Sequence, residues 1–248
     1  TDDTNGNYGI NGNGETYVSW NWKAGGTPSI NTDGTITSVV SANQAAGFSV
    51  ISWTGNSTTG ATLGHGLNSA PELFITKNLG TNNLQWATYN VTTGNGARLT
   101  LNENAAVNNG RVEWNNTTPT ASVVTFSDHP CVNSSSNNYI GYAFTSISGY
   151  SKVGNYTGNQ SLNTANQINF GFTPGFVLIK NTTNSGSQWM IFDSARTNGM
   201  ALEANNMSSE SNYTTDLLLS SQGLEFKSTN INVNQSGATY IYLAIKEN

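Results

Sequence analysis

The chain has 248 residues, of which 9% are charged, and a formal net charge of -5, so it offers no basic patch for nucleic acid or an anionic membrane surface. Its 35% hydrophobic and 10% aromatic content is too high for a disordered chain, while Asn, Thr, Ser and Gly supply the polar surface. These values favour a folded extracellular β protein.

The start of the sequence, TDDTNGNYGINGNGETY, has neither the basic nor the apolar region of a signal peptide, and no run in the chain approaches the roughly 20 apolar residues that span a bilayer. The run TYVSWNWK, residues 16–23, has the pattern of a closing β-strand with no domain in front of it. We therefore expect residues 1–26 to hold the terminal strand of an upstream unit, or a strand that adds to a neighbouring sheet, followed by the start of a linker. The parent protein is then expected to be longer.

The rest of the chain presents one order of motifs twice. FSVISWTGN precedes GHGLNSAPELFITKN, LQWATYN and NYIGYAF, and YSKVGNYTGN precedes NFGFTPGFVLIKN, SQWMIFD and TYIYLAI. Ten positions carry the match: Gly47, Trp53, Pro71, Trp86 and Tyr139 in the first copy, and Gly149, Tyr156, Pro174, Trp189 and Tyr240 in the second. A constant order at nearly constant offset predicts internal duplication, with repeats at residues 27–146 and 147–248.

Each repeat consists of short runs rich in β-branched and aromatic residues, separated by Asn, Gly, Ser, Thr and Pro clusters. This pattern predicts an all-β fold with two tandem antiparallel β-sandwich domains, of jelly-roll or immunoglobulin-like type. In YIGYAF, residues 139–144, we expect the larger face, with Ile140, Tyr142 and Phe144, to enter the core. The smaller opposite face would then admit another chain.

These motifs resemble a module common in tail-fibre and other virion structural proteins of tailed bacteriophages, many of them marine. The similarity runs from about residue 16 to the end and rests on the order of TYVSWNWKAGG, TDGTITSVVSANQAAGFSVISWTGN, GHGLNSAPELFITK, YIGYAFTSISGYSKVGNYTGN, FGFTPGFVLIKN and QWMIFDSAR. It implies a fibre or adhesin region on the virion surface that meets a host glycan or receptor. It also implies contacts with other virion subunits and a homo-oligomer, with a trimer as the usual order.

Catalytic constellations are not expected. The only histidines are His65 and His129, and no Gly-x-Ser-x-Gly elbow accompanies them. His65, between two glycines, is interpreted as a turn residue, and DHPC, residues 128–131, as a loop before the last strand of its unit. The chain has a single cysteine, Cys131, which excludes an intrachain disulfide. The fourteen scattered acids leave a glycan depolymerase as an alternative, and Asp193 aligns with Asn90 of the first copy.

No cofactor is expected either. DTNGNY, residues 3–8, has Asp3, Asn5 and Asn7 at alternate positions, but Tyr8 stands where an EF-hand loop requires glycine. An irregular calcium site in a β loop stays open. The DHPC cluster lacks the paired ligands of a zinc site.

Surface contacts should come from aromatic and amide side chains that the core does not need, because sugar rings stack on aromatic planes. Trp86, Trp189, Trp53 and Tyr156 recur in the repeat and are expected in the two cores. Trp114 lacks a counterpart and is the leading candidate. The remaining candidates lie in unshared loops: Asn115, Asn116, Asp128, His129 and Tyr213.

The sequence thus predicts a non-enzymatic virion surface module that contributes to recognition of a host-surface glycan. One alternative is a purely structural extracellular fibre or decoration domain. A lesser alternative is a carbohydrate-binding or depolymerase domain of a secreted protein.

Overall fold

The computed structural model describes residues 13–247, whose regular structure is β apart from a short 3-10 turn at Gln44–Ala46. All neighbouring strands in its sheets are antiparallel. The expected all-β fold class is therefore confirmed. None of the described residues belongs to a helix long and apolar enough to cross a membrane.

The strands fall into two consecutive groups, which we call the first and the second unit. The strands of the first unit are β1 (Ser29–Asn31), β2 (Ser38–Asn43), β3 (Phe48–Thr54), β4 (Ala61–Gly64), β5 (Leu73–Asn78), β6 (Ala87–Asn90), β7 (Ala97–Thr100), β8 (Asn108–Asn109), β9 (Val123–Phe126) and β10 (Asn138–Phe144). Those of the second unit are β11 (Ser151–Thr157), β12 (Ile168–Asn169), β13 (Pro174–Asn181), β14 (Trp189–Asp193), β15 (Met200–Glu203), β16 (Ser211–Asn212), β17 (Leu217–Ser220), β18 (Gly223–Phe226) and β19 (Thr239–Lys246).

Each unit has a main sheet and a small sheet. The main sheet of the first unit has the order β1-β2-β3-β10-β5-β6-β7-β8, and that of the second has the order β11-β19-β13-β14-β15-β16. From β3 and β11 onward the two orders correspond strand for strand. The small sheets are β4-β9 in the first unit and β12-β18-β17 in the second.

A separate apolar core lies within each unit. Trp53 of β3 and Tyr139 of β10 stack in the first core, with ring centroids 5.2 Å apart. Tyr156 of β11 and Tyr240 of β19 stack in the second, with centroids 4.8 Å apart. Trp53 and Tyr156 therefore lie in the two cores, as expected.

The outer faces of the two main sheets pack against each other and form a third apolar cluster, the inter-unit cluster. Its buried members are Phe48, Leu73, Ile75, Leu99 and Phe144 from the first unit, and Val153, Phe176, Leu178, Trp189, Ile191, Ile241 and Leu243 from the second. Trp86 packs against it, half-buried. Trp86 and Trp189 thus join the units, and the expectation that they fill the individual cores was wrong.

Strand β10 is oriented opposite to expectation. Tyr139 and Ala143 enter the core of their own unit, and Phe144, on the larger face, enters the inter-unit cluster. The reason is Gly141, where a Cβ atom would lie 2.9 Å from the Phe74 ring and 3.0 Å from the Trp53 ring. The glycine gives room to two large rings of the core, so the smaller face admits these rings and not another chain.

Residues 13–28 form no strand. The expected closing strand at TYVSWNWK therefore does not pair with any strand of the described residues. The segment is extended, and Trp20, Trp22 and Ala24 pack at alternate positions against the inter-unit cluster. The Trp22 ring lies 5.1 Å from that of Phe176 and 6.4 Å from that of Phe144, so it contacts both units. The first twelve residues of the predicted upstream strand and linker lie outside the described part of the chain.

A tyrosine hydroxyl ties the loop before the last strand to each core. The Tyr139 hydroxyl donates to the Pro130 carbonyl at 2.8 Å and accepts from Asn78 Nδ2 at 2.9 Å and from the Ser134 amide at 2.7 Å. The Tyr240 hydroxyl makes the same three bonds, to the Ile231 carbonyl at 2.8 Å, Asn181 Nδ2 at 3.3 Å and the Gln235 amide at 2.8 Å. A buried hydroxyl with three partners fixes its loop.

We expect Tyr139→Phe and Tyr240→Phe each to lower the free energy of unfolding by about 1–3 kcal/mol, because each leaves one backbone amide, that of Ser134 or Gln235, without its acceptor. The Tyr142 side chain is half-buried in the inter-unit cluster, and its hydroxyl makes no hydrogen bond within residues 13–247, so Tyr142→Phe is the matched control. Urea unfolding of the three variants measures the difference. Equal stability of all three would contradict the assigned role of the hydroxyls.

Candidate functional site

Trp114 does not lie on the surface. It is 2% exposed, and its ring contacts Phe74, Tyr89 and Phe126 in the core of the first unit. Its indole Nε1 donates to the Ala97 carbonyl at 3.0 Å. The prediction that Trp114 makes a surface contact was therefore wrong, because the turn residues beside it are exposed while the ring points inward.

The other predicted candidates are spread over the two units. Asn115 and Asn116 form a turn with φ values of 48° and 49°, which asparagine tolerates better than most residues, and Asn116 is exposed. Tyr213 belongs to the second unit, where its half-buried ring packs against the core and its hydroxyl accepts from Asn232 Nδ2 at 2.7 Å. The structure does not bring these three residues together with Asp128 and His129.

His129 belongs to a charged cluster of the first unit, and Asp128 precedes it in the chain. We define the charged cluster as Arg98, Arg111, Glu113, His129 and Cys131. Glu113 is completely buried, and its Oε1 accepts from Arg98 Nη1 at 2.6 Å and from Arg111 Nη2 at 2.7 Å. His129 Nε2 lies 3.5 Å from the same oxygen. The Cys131 thiol lies 3.7 Å from Arg98 Nη1. No sequence motif indicated that residues 98, 111 and 113 meet the DHPC loop.

The protonation states in the charged cluster follow from burial and from the neighbouring charges. Burial lowers the pKa of His129, and the charge of Glu113 only partly opposes this. Burial alone would raise the pKa of Glu113, but hydrogen bonds from Arg111 and the charges of His129 and Arg98 lower it. Burial raises the pKa of the Cys131 thiol. At neutral pH the cluster therefore holds one carboxylate, two guanidinium groups and a neutral imidazole.

An open groove of about 540 Å³ lies at the end of the inter-unit cluster, and we call it the tryptophan groove. Its lining comes from five places in the chain: Ser19, Trp20, Asn21 and Trp22; Tyr150; Gly175 and Phe176; Ser194 and Ala195; and Ile245, Lys246 and Glu247. Two half-buried indoles thus stand beside hydroxyl, amide, ammonium and carboxylate groups. Its volume lies in the range of about 300–1,000 Å³ that small-molecule ligand pockets occupy.

The Trp20 ring is held in place by a buried carboxylate. Its Nε1 donates to Asp193 Oδ2 at 3.1 Å, and its ring meets Phe176 edge-on with centroids 5.8 Å apart. Asp193 Oδ2 also pairs with Arg196 Nη2 at 2.7 Å, and the guanidinium carbon of Arg196 lies 5.8 Å from the Trp20 ring centroid. A ring fixed on three sides loses little conformational freedom when a ligand stacks on it.

This arrangement belongs to the second unit alone. Asp193 pairs with Phe176 across β13 and β14 as Asn90 pairs with Leu73 across β5 and β6, so the carboxylate replaces an amide at the equivalent position. Each residue accepts from the amide two residues further on, Asn90 from Thr92 at 2.9 Å and Asp193 Oδ1 from Ala195 at 3.1 Å, so the bonds of Asp193 Oδ2 to Trp20 and Arg196 are what the carboxylate adds. Sequence reasoning did not predict this site, although the exchange of Asn for Asp between otherwise matching positions is a signal that could have pointed to it.

Within residues 13–247, no group of three or more His, Cys, Asp and Glu side chains is arranged to hold a metal ion. The DTNGNY segment with Asp3, Asn5 and Asn7 lies outside the described residues. His65 is buried, its Nε2 lies 3.2 Å from the Thr120 carbonyl and its Nδ1 accepts from the Leu67 amide at 3.2 Å. It is bonded to backbone, as its interpretation as a turn residue requires.

The comparisons with known proteins give one match. A family model described as a domain of unknown function, DUF7483, covers residues 1–248. Neither the curated proteins nor the solved structures contain a match to the chain.

We expect the protein to lose stability as the pH falls from about 7 to 5. His129 has a lowered pKa in the folded state, so below its ordinary value of 6.5 the unfolded chain takes up the proton more readily than the folded chain. His65 has a lowered pKa for the same reason, burial, and adds to the loss. Urea unfolding midpoints at pH 7.5, 6.5 and 5.5 measure the decline.

His129→Asn should make this decline shallower and leave only the share of His65. Asparagine can still accept the hydrogen bond that the Cys131 amide donates to His129 Nδ1 at 3.1 Å. The same decline in the variant and in the unaltered protein would show that His129 does not contribute.

Proposed function

The chain belongs to the DUF7483 family, whose description states no function, and from its geometry we propose that it is a non-enzymatic glycan-binding module. The tryptophan groove carries this proposal, because Trp20 and Trp22 offer aromatic surface beside polar groups. The apolar CH face of a pyranose ring stacks on such a surface, while amides and hydroxyls bond its hydroxyl groups.

Asn21 and Ser19 are exposed on the same extended segment, and the groove is also lined by Lys246, the last residue of β19, and by Glu247, which follows it. Donors and acceptors of both kinds therefore surround the indoles. Such a set suits the many neutral hydroxyl groups of a sugar better than it suits an apolar ligand.

Binding without hydrolysis is supported by the state of the carboxylates. Glycoside hydrolysis in most families requires two carboxyl groups that flank the scissile bond. Glu247 is the one carboxylate among the lining residues that the structure describes. Asp193, behind them, is 2% exposed and is occupied by Trp20 and Arg196. The depolymerase alternative would need a second free carboxylate at the groove.

We place this activity at the virion surface, on a tail fibre or related structure that contacts a host-cell glycan or receptor. The sequence motifs that resemble virion fibre modules support this placement. So does the equivalence of the two units in strand order and in the tyrosine contacts, which supports duplication of one module. Assembly with other virion subunits and a homo-oligomer, such as a trimer, belong to the same proposal.

Trp20→Ala should weaken glycan binding by about tenfold, because the substitution removes one stacking plane. Trp86→Ala is the matched control, since Trp86 is also half-buried against the inter-unit cluster but does not line the groove. A glycan array identifies a ligand for the unaltered protein, and calorimetry with that ligand compares the two variants. Equal affinity in both variants would move the site away from the groove.

An assay of binding to host cells distinguishes a glycan-binding module from a purely structural domain. We expect the purified chain to bind whole host cells and to lose this binding with Trp20→Ala. Failure to bind any glycan or cell, together with a stable oligomer in light scattering, would instead favour the structural fibre or decoration domain.

A further inference from the structure

The donors of the charged cluster converge on one oxygen of Glu113, Oε1, while its buried Oε2 accepts no hydrogen bond within the described residues. Glu113 Oε1 accepts from Arg98 Nη1 and from both Nε and Nη2 of Arg111, at 2.6, 3.1 and 2.7 Å. His129 Nδ1 accepts from the Cys131 amide, so a neutral His129 carries its proton on Nε2. That nitrogen lies 3.1 Å from Arg111 Nη2, which is also a donor. Two N–H groups thus face each other and share one carboxylate oxygen.

The fold does not require these charges. Arg98 of β7 pairs within its sheet as Ala201 of β15 does, and Ala201 lies in the apolar core of the second unit. Asn230 takes the place of His129, because its Oδ1 accepts from the Asn232 amide at 2.8 Å as His129 Nδ1 accepts from that of Cys131. The second unit forms the same strand order without the cations. Buried ion pairs in proteins seldom add stability over apolar residues, so the charges call for another role.

The exposure of the cluster is graded. The side chains of Arg98 and Glu113 are 8% and 0% exposed, whereas those of Arg111 and His129 are 29% and 24% exposed. Arg111 and His129 therefore form the outer layer, and Arg98 and Glu113 lie behind them. A ligand can reach the outer pair without any change in the core.

We propose that Arg111 and His129 bind an oxyanion, the carboxylate or sulfate group of an acidic polysaccharide. This inference rests on the proposed glycan recognition for its ligand class, but it concerns a second site in the other unit. Arg98 and Glu113 are positioning residues, because Glu113 fixes the Arg111 guanidinium from below. An oxyanion supplies a further acceptor for the two facing N–H groups, which otherwise share Glu113 Oε1, and a planar guanidinium can hold it by two parallel bonds.

The charges around Arg111 and His129 determine whether a substitution strengthens or weakens the binding of an anion. Arg98, Arg111 and a protonated His129 attract an anion, Glu113 is already paired, and the Cys131 thiol is neutral. Asp128 is exposed, interacts with the charge of His129 and forms no ion pair within the described residues. It is the one carboxylate that opposes an incoming anion at the surface.

Sodium sulfate titrated at constant ionic strength, followed by NMR of the arginine Nε–H and histidine signals, tests the site directly. Arg111→Gln should weaken sulfate binding by about tenfold, because a charge-assisted bond is lost. Asp128→Asn should strengthen it about two- to threefold, because a surface repulsion is removed. The second variant leaves every internal contact of the cluster in place, so a folding defect cannot explain its effect.

Lys152→Gln removes one positive charge from the second unit and is the matched control, with unchanged sulfate affinity expected. Unaltered affinity in both Arg111→Gln and Asp128→Asn overturns the proposal, and so does an equal loss in Lys152→Gln, which would indicate a general effect of charge. Dextran sulfate should bind more tightly than unsubstituted dextran. Binding of free sulfate without binding of dextran sulfate overturns the polysaccharide as its source.

The two proposals fail separately. Trp20→Ala should leave sulfate binding unchanged, and Arg111→Gln should leave the binding of a neutral oligosaccharide at the groove unchanged. Loss of the groove activity alone would contradict the proposed function, and loss of the sulfate response alone would contradict the anion site.

Discussion

The packing of one main sheet against the other determines most of the structure. Each main sheet is apolar on both faces, with one face turned to the core of its own unit and the other to the inter-unit cluster. The extended segment is held because the rings of Trp20 and Trp22 pack against the end of this cluster. The tryptophan groove lies where those two rings cover the end of the cluster only in part. Burial of apolar surface thus positions the polar groups that surround the groove.

The sequence was sufficient for the β class and for the motifs that the two units share. Trp53 and Tyr156 occupy matching positions of the two motifs, and each stacks on a tyrosine of the last strand of its unit. The faces of β10 could not be assigned in this way, because the space left by Gly141 is filled by rings distant in sequence. Trp114 was misplaced for a similar reason: its neighbours are turn residues, but its partners come from other strands.

The chemistry of the molecule lies where the two units differ. The first unit has Arg98 where the second has the core residue Ala201, and the second has Asp193 where the first has Asn90. No spacing rule predicts that Arg98, Arg111 and Glu113 meet His129, since the four residues come from a strand and from three loop positions. A comparison of the two units could have singled out Arg98 and Asp193, because each places a charge where its counterpart is neutral.

The strand order also has a mechanical consequence. Strand β19 is the last of its unit, yet it lies between β11 and β13 and pairs with both along most of its length. A pull on the chain at both ends of the second unit acts on Ser151 and Ile245, which are paired at one end of the β11–β19 ladder, so this ladder opens from that end, one pair of residues after another. Release of β19 then also requires its ladder with β13 to break. Strand β10 has the same central place in the first unit, so in each unit the last strand comes free only after two ladders have opened.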